Sequence, residues 1–196
     1  MIQVLDEFLE NPDAVRASAL RSGFGTWRPN KGDIGADSYG GVNFVGDHGT
    51  PLRALARVAG PIIPTTVFFR VTNPGMEHAL IHSDREYGES TAILYLSQEN
   101  PESSGTGFYR HRETGMTEMP GLADLMARPE GFFTKIRQQM LDASDADWEM
   151  YRFVEARYNR CLVFSGPLIH CRIPKTGFGS SAEDSRMVWV CHFDSP

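Results

Sequence analysis

The sequence predicts a mainly β protein with flanking helices, most economically a two-sheet jelly roll, with a split α+β sheet as the alternative. Three observations carry this. The chain has 196 residues, 41% hydrophobic and 22% charged, enough for one domain with its own core, so residues 1–196 are expected to form a single unit. Helix punctuation gathers in residues 1–60, an expected helical support, and returns once at about 121–143. From about Thr65 to the end, at 65–196, the remaining chain consists of short runs rich in β-branched and aromatic residues, separated by turn residues.

The elements follow in order. Asn11, Pro12 and Asp13 open a helix in which Ala14, Val15, Ala19 and Leu20 recur at helical spacing, and Gly23 stops it. The Gly-rich stretch "KGDIGADSYGGVNFVGDHG" reads as loop with one short strand. Thr50-Pro51 opens a second helix carrying Leu52, Leu55 and Val58, closed by Gly60 and Pro61. The strand-like runs are "TTVFFRVT", "ALIHSD", "STAILYLS", "TGFYRHR", "MYRFVEARYN", "RCLVFSG", "LIHCRI" and "SRMVWVCHFD". Between the fourth and fifth, "GLADLMA" and "GFFTKIRQQMLDA" show apolar spacings of three and four, hence the helical insert.

Bulk properties exclude several functions. A net charge of −6 argues against nucleic-acid binding, and no basic cluster suggests a membrane surface. No apolar run is long enough to span a bilayer, and the acidic start lacks the pattern of a secretion signal. Cys161, Cys171 and Cys191 are odd in number and lack CxxC spacing, as expected of reduced thiols in a soluble cytoplasmic protein.

One pair of residues carries chemistry. His82 and Asp84 stand two apart in a strand-like run, so both side chains face one side, where they could share a metal. A second neutral His would complete a two-His-one-carboxylate face with open positions, an arrangement used by non-haem Fe(II) oxygenases. Five histidines remain as candidates: His48, His78, His111, His170 and His192. His48 and His78 lie in turn-rich segments expected at the surface, and His111 stands between two arginines, which oppose a cation. His170 lies centrally in an apolar strand after a Gly-Pro turn; a hydrogen-bonded core histidine is the competing reading.

Beyond the pair, "IHSD", "TAILYLSQENPESSGTGFYRH", "LVFSGPLIHCRI" and an arginine on the last strand occur in an order that resembles the Fe(II)- and 2-oxoglutarate-dependent oxygenases, in their prolyl-hydroxylase-like branch. The resemblance runs from about residue 66 to the C-terminus and implies a double-stranded β-helix, the jelly roll already expected. It implies His82, Asp84 and His170 as iron ligands, and Arg186 as the cation that binds the distal carboxylate of 2-oxoglutarate. Tyr95 and Thr91, on one face of their strand, would add hydroxyl donors to that carboxylate. Arg186 falls sixteen residues after His170, a long interval for the family, so Arg172 is a rival for the same role. The family's Gly-Gly signature is reduced to Ser104-Gly105, and the presence of Asp84 disfavours halogenation.

The resemblance further implies Fe(II), 2-oxoglutarate and O2 as the reaction's requirements, with hydroxylation of a small-molecule, amino-acid or peptidyl substrate and release of succinate and CO2. Desaturation and ring formation are open to the same oxidant. Arg110, His111 and Arg112 form a basic cluster expected to meet a substrate carboxylate, unless it is simply a solvated strand end; Trp27, Tyr39 and the Gly-rich loop are candidates for a lid. Two other classes compete: a non-catalytic jelly-roll sensor for a metal or small acid, and a zinc hydrolase using the same three ligands.

Overall fold

In the computed structural model, which describes residues 1–27 and 39–196, local punctuation sets the helices and long-range pairing sets the strands. Strand β1 (Ile2–Leu5) leads to α1 (Pro12–Ser22), where the Asn11 side chain accepts a hydrogen bond from Ala14 N–H and Gly23 ends the helix. Strands β2 (Gly25–Trp27) and β3 (Tyr39–Asn43) precede α2 (Gly49–Ala59). Then come β4 (Ile63–Thr72), β5 (Ser90–Tyr95) and β6 (Gly105–His111). The insert forms two helices, α3 (Leu122–Met126) and α4 (Phe132–Asp142), parted at Pro129, which disfavours helical geometry in the residue before it. Strands β7 (Trp148–Glu155), β8 (Cys161–Ser165), β9 (His170–Ile173) and β10 (Arg186–Asp194) complete the chain.

Two antiparallel sheets result. One has the order β1-β8-β5-β10-β4-β3-β2 and the other β7-β6-β9. Strand alternation divides β10 between two environments. Met187, Trp189, Cys191 and Phe193 join Val15, Ala19 and Leu55 of the helices in a core outside the large sheet. Val188 and Val190 turn inward and pack with Ile93, Phe108 and Leu162 between the sheets. Helix α4 covers the outer face of the small sheet through Ile136 and Met140, against Tyr109, Trp148 and Cys171. This is the expected jelly roll. No helix among the described residues is long and apolar enough to cross a membrane.

Two expectations change. The first sixty residues hold two helices as expected but also β1, β2 and β3, which form both edges of the large sheet. Pairing with β8 and a double hydrogen bond from Arg160 to Asp6 (2.6 and 3.0 Å) hold β1, and neither is visible in local periodicity. The run "ALIHSD" is extended but forms a single bridge, His82 to His170, in place of a continuous strand. Its backbone bonds run from Ala79 to Lys175, His82 to His170 and Asp84 to Gly166, too irregular for a full ladder.

Candidate metal centre

The bridge is what assembles the site. His82 N–H donates to His170 C=O (3.0 Å) and His170 N–H to His82 C=O (2.8 Å), a reciprocal pair that sets both imidazoles side by side on one face. Their ring centroids are 4.4 Å apart. Asp84, two residues on, points the same way, fixed by its N–H bond to Gly166 C=O at 2.8 Å. His82 Nε2 lies 3.6 Å from Asp84 Oδ1, and His170 Nε2 lies 3.4 Å from Oδ2. One ligand atom from each of the three residues falls within 4.8 Å of the others.

Tautomers follow from the partners. His82 Nδ1 is 2.8 Å from Leu80 C=O, and His170 Nδ1 is 2.9 Å from Leu168 C=O. A carbonyl only accepts, so each Nδ1 carries a proton and Nε2 is the ring atom left facing Asp84. Burial lowers the His170 imidazole to about 4 against the pull of Asp84, which keeps the ring neutral near pH 7, the state a metal requires. Burial works to raise the Asp84 carboxyl, but His170, His192, His82 and the Thr91 hydroxyl outweigh it and hold the group below its ordinary range.

The carboxylate has two supporting residues. Thr91 Oγ1 donates to Asp84 Oδ2 at 2.9 Å and lies 3.1 Å from His192 Nδ1. The Thr91 proton goes to Asp84, so His192 donates in turn, giving a chain His192 to Thr91 to Asp84. Thr91 thus stands beside Asp84, away from the carboxylate-binding role expected of it. His192 was one unselected candidate among the histidines; the signal that finds it is its register opposite Thr91 in the β5–β10 pair.

All of these side chains line one cavity of about 650 Å³ between the sheets. Arg186, 5% exposed, enters it from β10 with its guanidinium 6.0 Å from the Tyr95 ring centroid. Among the described residues its Nε has no hydrogen-bond partner and Arg186 forms no ion pair. Burial first of all lowers its pKa to about 10, which leaves it a cation at neutral pH. Arg172 lines the same cavity but is engaged. Its guanidinium donates to the Lys175 and Glu77 carbonyls and lies 3.7 Å from the Glu77 carboxylate, which also pairs with Arg70. The Tyr95 hydroxyl is 2.7 Å from Thr106 Oγ1, and Thr106 lines the cavity.

The basic cluster expected at the substrate does not reach the cavity. Arg110 faces solvent beside Glu149 (3.7 Å), and Arg112 donates to Asp145 C=O. His111 is fully buried under α4, bonded to Thr114 and Gln139 and packed on Trp148. Strand alternation at this end of β6 explains the correction: the arginines flank the strand outward while His111 closes the core behind the small sheet. His48 is half-buried against Phe69, while His78 and Trp27 line the cavity. Of the rest of the suggested lid, Tyr39 opens β3, and residues 31–38 of the Gly-rich loop lie outside the described residues.

Comparison with solved structures places this fold among known ones. AviO1 from Streptomyces viridochromogenes Tue57 matches with 16% identity and a TM-score of 0.56, over 100% of this chain and 90% of that one. SnoK, a non-haem α-ketoglutarate-dependent carbocyclase from nogalamycin biosynthesis, matches with 17% identity and a TM-score of 0.54, over 98% and 78%. HygX from Streptomyces hygroscopicus, with nickel, 2-oxoglutarate and hygromycin B bound, matches with 14% identity and a TM-score of 0.51, over 98% and 82%. At these identities the likeness is one of fold. No curated protein is significantly similar in sequence. A family model matches residues 75–189, a stretch that contains His82, Asp84, His170 and Arg186, and the chain belongs to this family, described as a family of unknown function (DUF6445).

Proposed function

We propose that this protein is an Fe(II)- and 2-oxoglutarate-dependent oxygenase of a small-molecule substrate, with hydroxylation as its reaction. The observation that carries the reading is the pairing, in one cavity, of a His82-Asp84-His170 cluster with a buried arginine that lacks an ion-pair partner among the described residues. The donor set fits the metal: two imidazoles whose Nε2 atoms face one carboxylate make the two-His-one-carboxylate face suited to Fe(II). Arg186 fits the cosubstrate, since a buried guanidinium with no counterion among the described residues is matched by a carboxylate. The four ordered sequence blocks support assignment to the prolyl-hydroxylase-like branch. A zinc hydrolase would leave the buried Arg186 without a task, and a non-catalytic sensor of a metal or small acid would differ by binding 2-oxoglutarate without turning it over.

When bound, iron and 2-oxoglutarate supply an oxidant derived from O2, with succinate and CO2 released. His82, Asp84 and His170 hold the metal; Leu80 and Leu168 fix the two rings, and Thr91, backed by His192, fixes the carboxylate. Arg186 neutralises the distal carboxylate of the cosubstrate, with Tyr95 at its side, while Arg172 keeps its place with Glu77. Apolar walls from β4, β5 and β10 keep water from the reacting centre.

The test is anaerobic. Fe(II) and 2-oxoglutarate added to metal-free protein should give the visible charge-transfer band of the chelate. His170→Ala should abolish it, and Arg186→Ala should raise the 2-oxoglutarate concentration needed by roughly 30-fold or more, the scale for removing one partner of a buried charge pair. Iron bound without a band would overturn the cosubstrate assignment.

A further inference from the structure

The walls between the metal centre and solvent carry information about what the site receives. Aromatic rings form a continuous series from the centre outward. His192, bonded to Thr91 beside Asp84, has its ring centroid 6.1 Å from that of Phe68; Phe68 is 6.1 Å from Phe44, and Phe44 is 6.5 Å from Trp27. All four line the cavity. The helical insert also contributes Leu125 and Phe133 to the lining. Phe44 and Phe133 are 48% and 43% exposed, so two large apolar rings are left half in water. An exposed apolar patch that continues into a cavity marks a surface completed by a ligand.

The charged groups along the cavity are committed elsewhere. Arg70 and Arg172 share Glu77, Arg85 donates through Nε to Met119 C=O at 2.9 Å, and Glu86 has interactions of its own. Arg186 answers the cosubstrate. An amino acid or peptide would bring an ammonium, a carboxylate or a row of backbone amides, and burying these without partners is costly. The volume of about 650 Å³ sits in the range of small-molecule sites.

We propose, building on the oxygenase reading, that the substrate is an uncharged small molecule with a flat, apolar, ring-containing body. It lies against the Trp27-Phe44-Phe68 series and the Leu125-Phe133 wall, with its inner end toward His82, Asp84 and His170. Specificity therefore resides in aromatic stacking along β3 and β4 and in the insert, and the amino-acid or peptidyl substrate expected from the basic cluster is set aside.

The test uses the neutral two-ring fluorophore 6-propionyl-2-dimethylaminonaphthalene as probe, titrated anaerobically into the full chain with Fe(II) and 2-oxoglutarate. Saturable binding with blue-shifted emission is expected, accompanied by a change in the charge-transfer band. Phe44→Ala and Phe133→Ala should each weaken binding by roughly tenfold, the worth of one stacked, buried ring. Met150→Ala, which removes an apolar side chain 48% exposed on β7, should leave it unchanged. N-acetyl-alanyl-alanine amide should not displace the probe. Phe44 and Phe133 are about half exposed, so their variants should fold, and thermal melts of each check this. Absence of saturable binding, equal loss in Met150→Ala, indifference to both phenylalanine variants, or displacement by the peptide would each overturn the proposal. A band without probe binding removes the substrate class alone. Probe binding that depends on Phe44, but without a band, removes the cosubstrate reading and leaves the apolar site.

Discussion

Thr91 decides how Asp84 is presented. Its hydroxyl stands between Asp84 Oδ2 and His192 Nδ1, in a site where all three side chains are buried. Thr91→Val keeps the shape but leaves a buried carboxylate oxygen and an imidazole N–H unpaired, at a cost of about 1–3 kcal/mol in stability. Metal affinity should fall by roughly 10–100-fold, the scale for losing a group that orients a ligand. Thr91→Ser should restore both. A Co(II) titration with a thermal melt of each variant checks this; full metal affinity in Thr91→Val would remove the orienting role. The sequence made the face legible and the partner obscure. Alternation puts Thr91 and Tyr95 on one side of β5, but which end meets the metal depends on the pairing of Thr91 with His192, about a hundred residues away. Local pattern alone therefore points Thr91 toward the cosubstrate and gives no reason to select His192. His82 and Asp84 were easier, because i, i+2 spacing in a strand-like run is a local signal, whereas Arg186 followed from the family resemblance and kept Arg172 as a rival.

At the scale of elements, the turn between β8 and β9 does more than connect. Gly166 C=O receives the Asp84 N–H, and Gly166 N–H donates to Glu89 C=O, so the turn clasps the segment carrying Asp84. The approach is close: a Cβ at Gly166 would stand 2.2 Å from Gly88 C=O, backbone against backbone. Gly166→Ala should therefore push the two segments apart, destabilise the protein by about 1–3 kcal/mol and weaken metal binding in the same variant. Gly115→Ala serves as contrast, because space is open there and only its positive φ of 72° resists, so stability should fall without loss of metal affinity. Equal metal affinity in both variants would argue against the clasp. The Gly-Pro turn itself was legible in sequence, and so were the caps at Asn11 and Gly23. The backbone contact between Gly166 and Gly88 was not, since a glycine required by a neighbour's approach looks like any turn glycine. The same reason hid β1, whose four residues acquire strand geometry only from β8.

Across the whole molecule, burial depresses the basicity of histidines in two separate layers. His170 and His192 lie between the sheets, and His48 lies outside the large sheet at the start of α2. His48 stacks on Phe69 with centroids 4.7 Å apart and accepts a hydrogen bond from Trp189 Nε1 at 3.2 Å through Nδ1. Burial outweighs the opposing effects of the Phe44 backbone and Asp47. All three are neutral in the fold near pH 7, whereas an unfolded chain takes up their protons near the ordinary value of 6.5. The sign follows: where the unfolded state binds more protons, stability rises with pH. The metal-free protein should hold full stability above about pH 6.5 and lose it progressively toward pH 4, where His170 itself titrates. Each histidine contributes at most about 1.4 kcal/mol per pH unit, and the half-exposed His48 less because solvent screens it. Melts at pH 7.5, 6 and 5 should show a falling transition temperature, and His48→Phe, which keeps a ring on Phe69, should show a shallower fall with a lower starting point from the unpaired Trp189 N–H. Saturating Co(II) should flatten the profile further, because a bound metal occupies the lone pair that a proton would take on His170. A transition temperature that stays constant from pH 7.5 to 5 in metal-free protein would mean that the three rings are solvated in solution, and the neutral, metal-ready state of His170 would lose its basis.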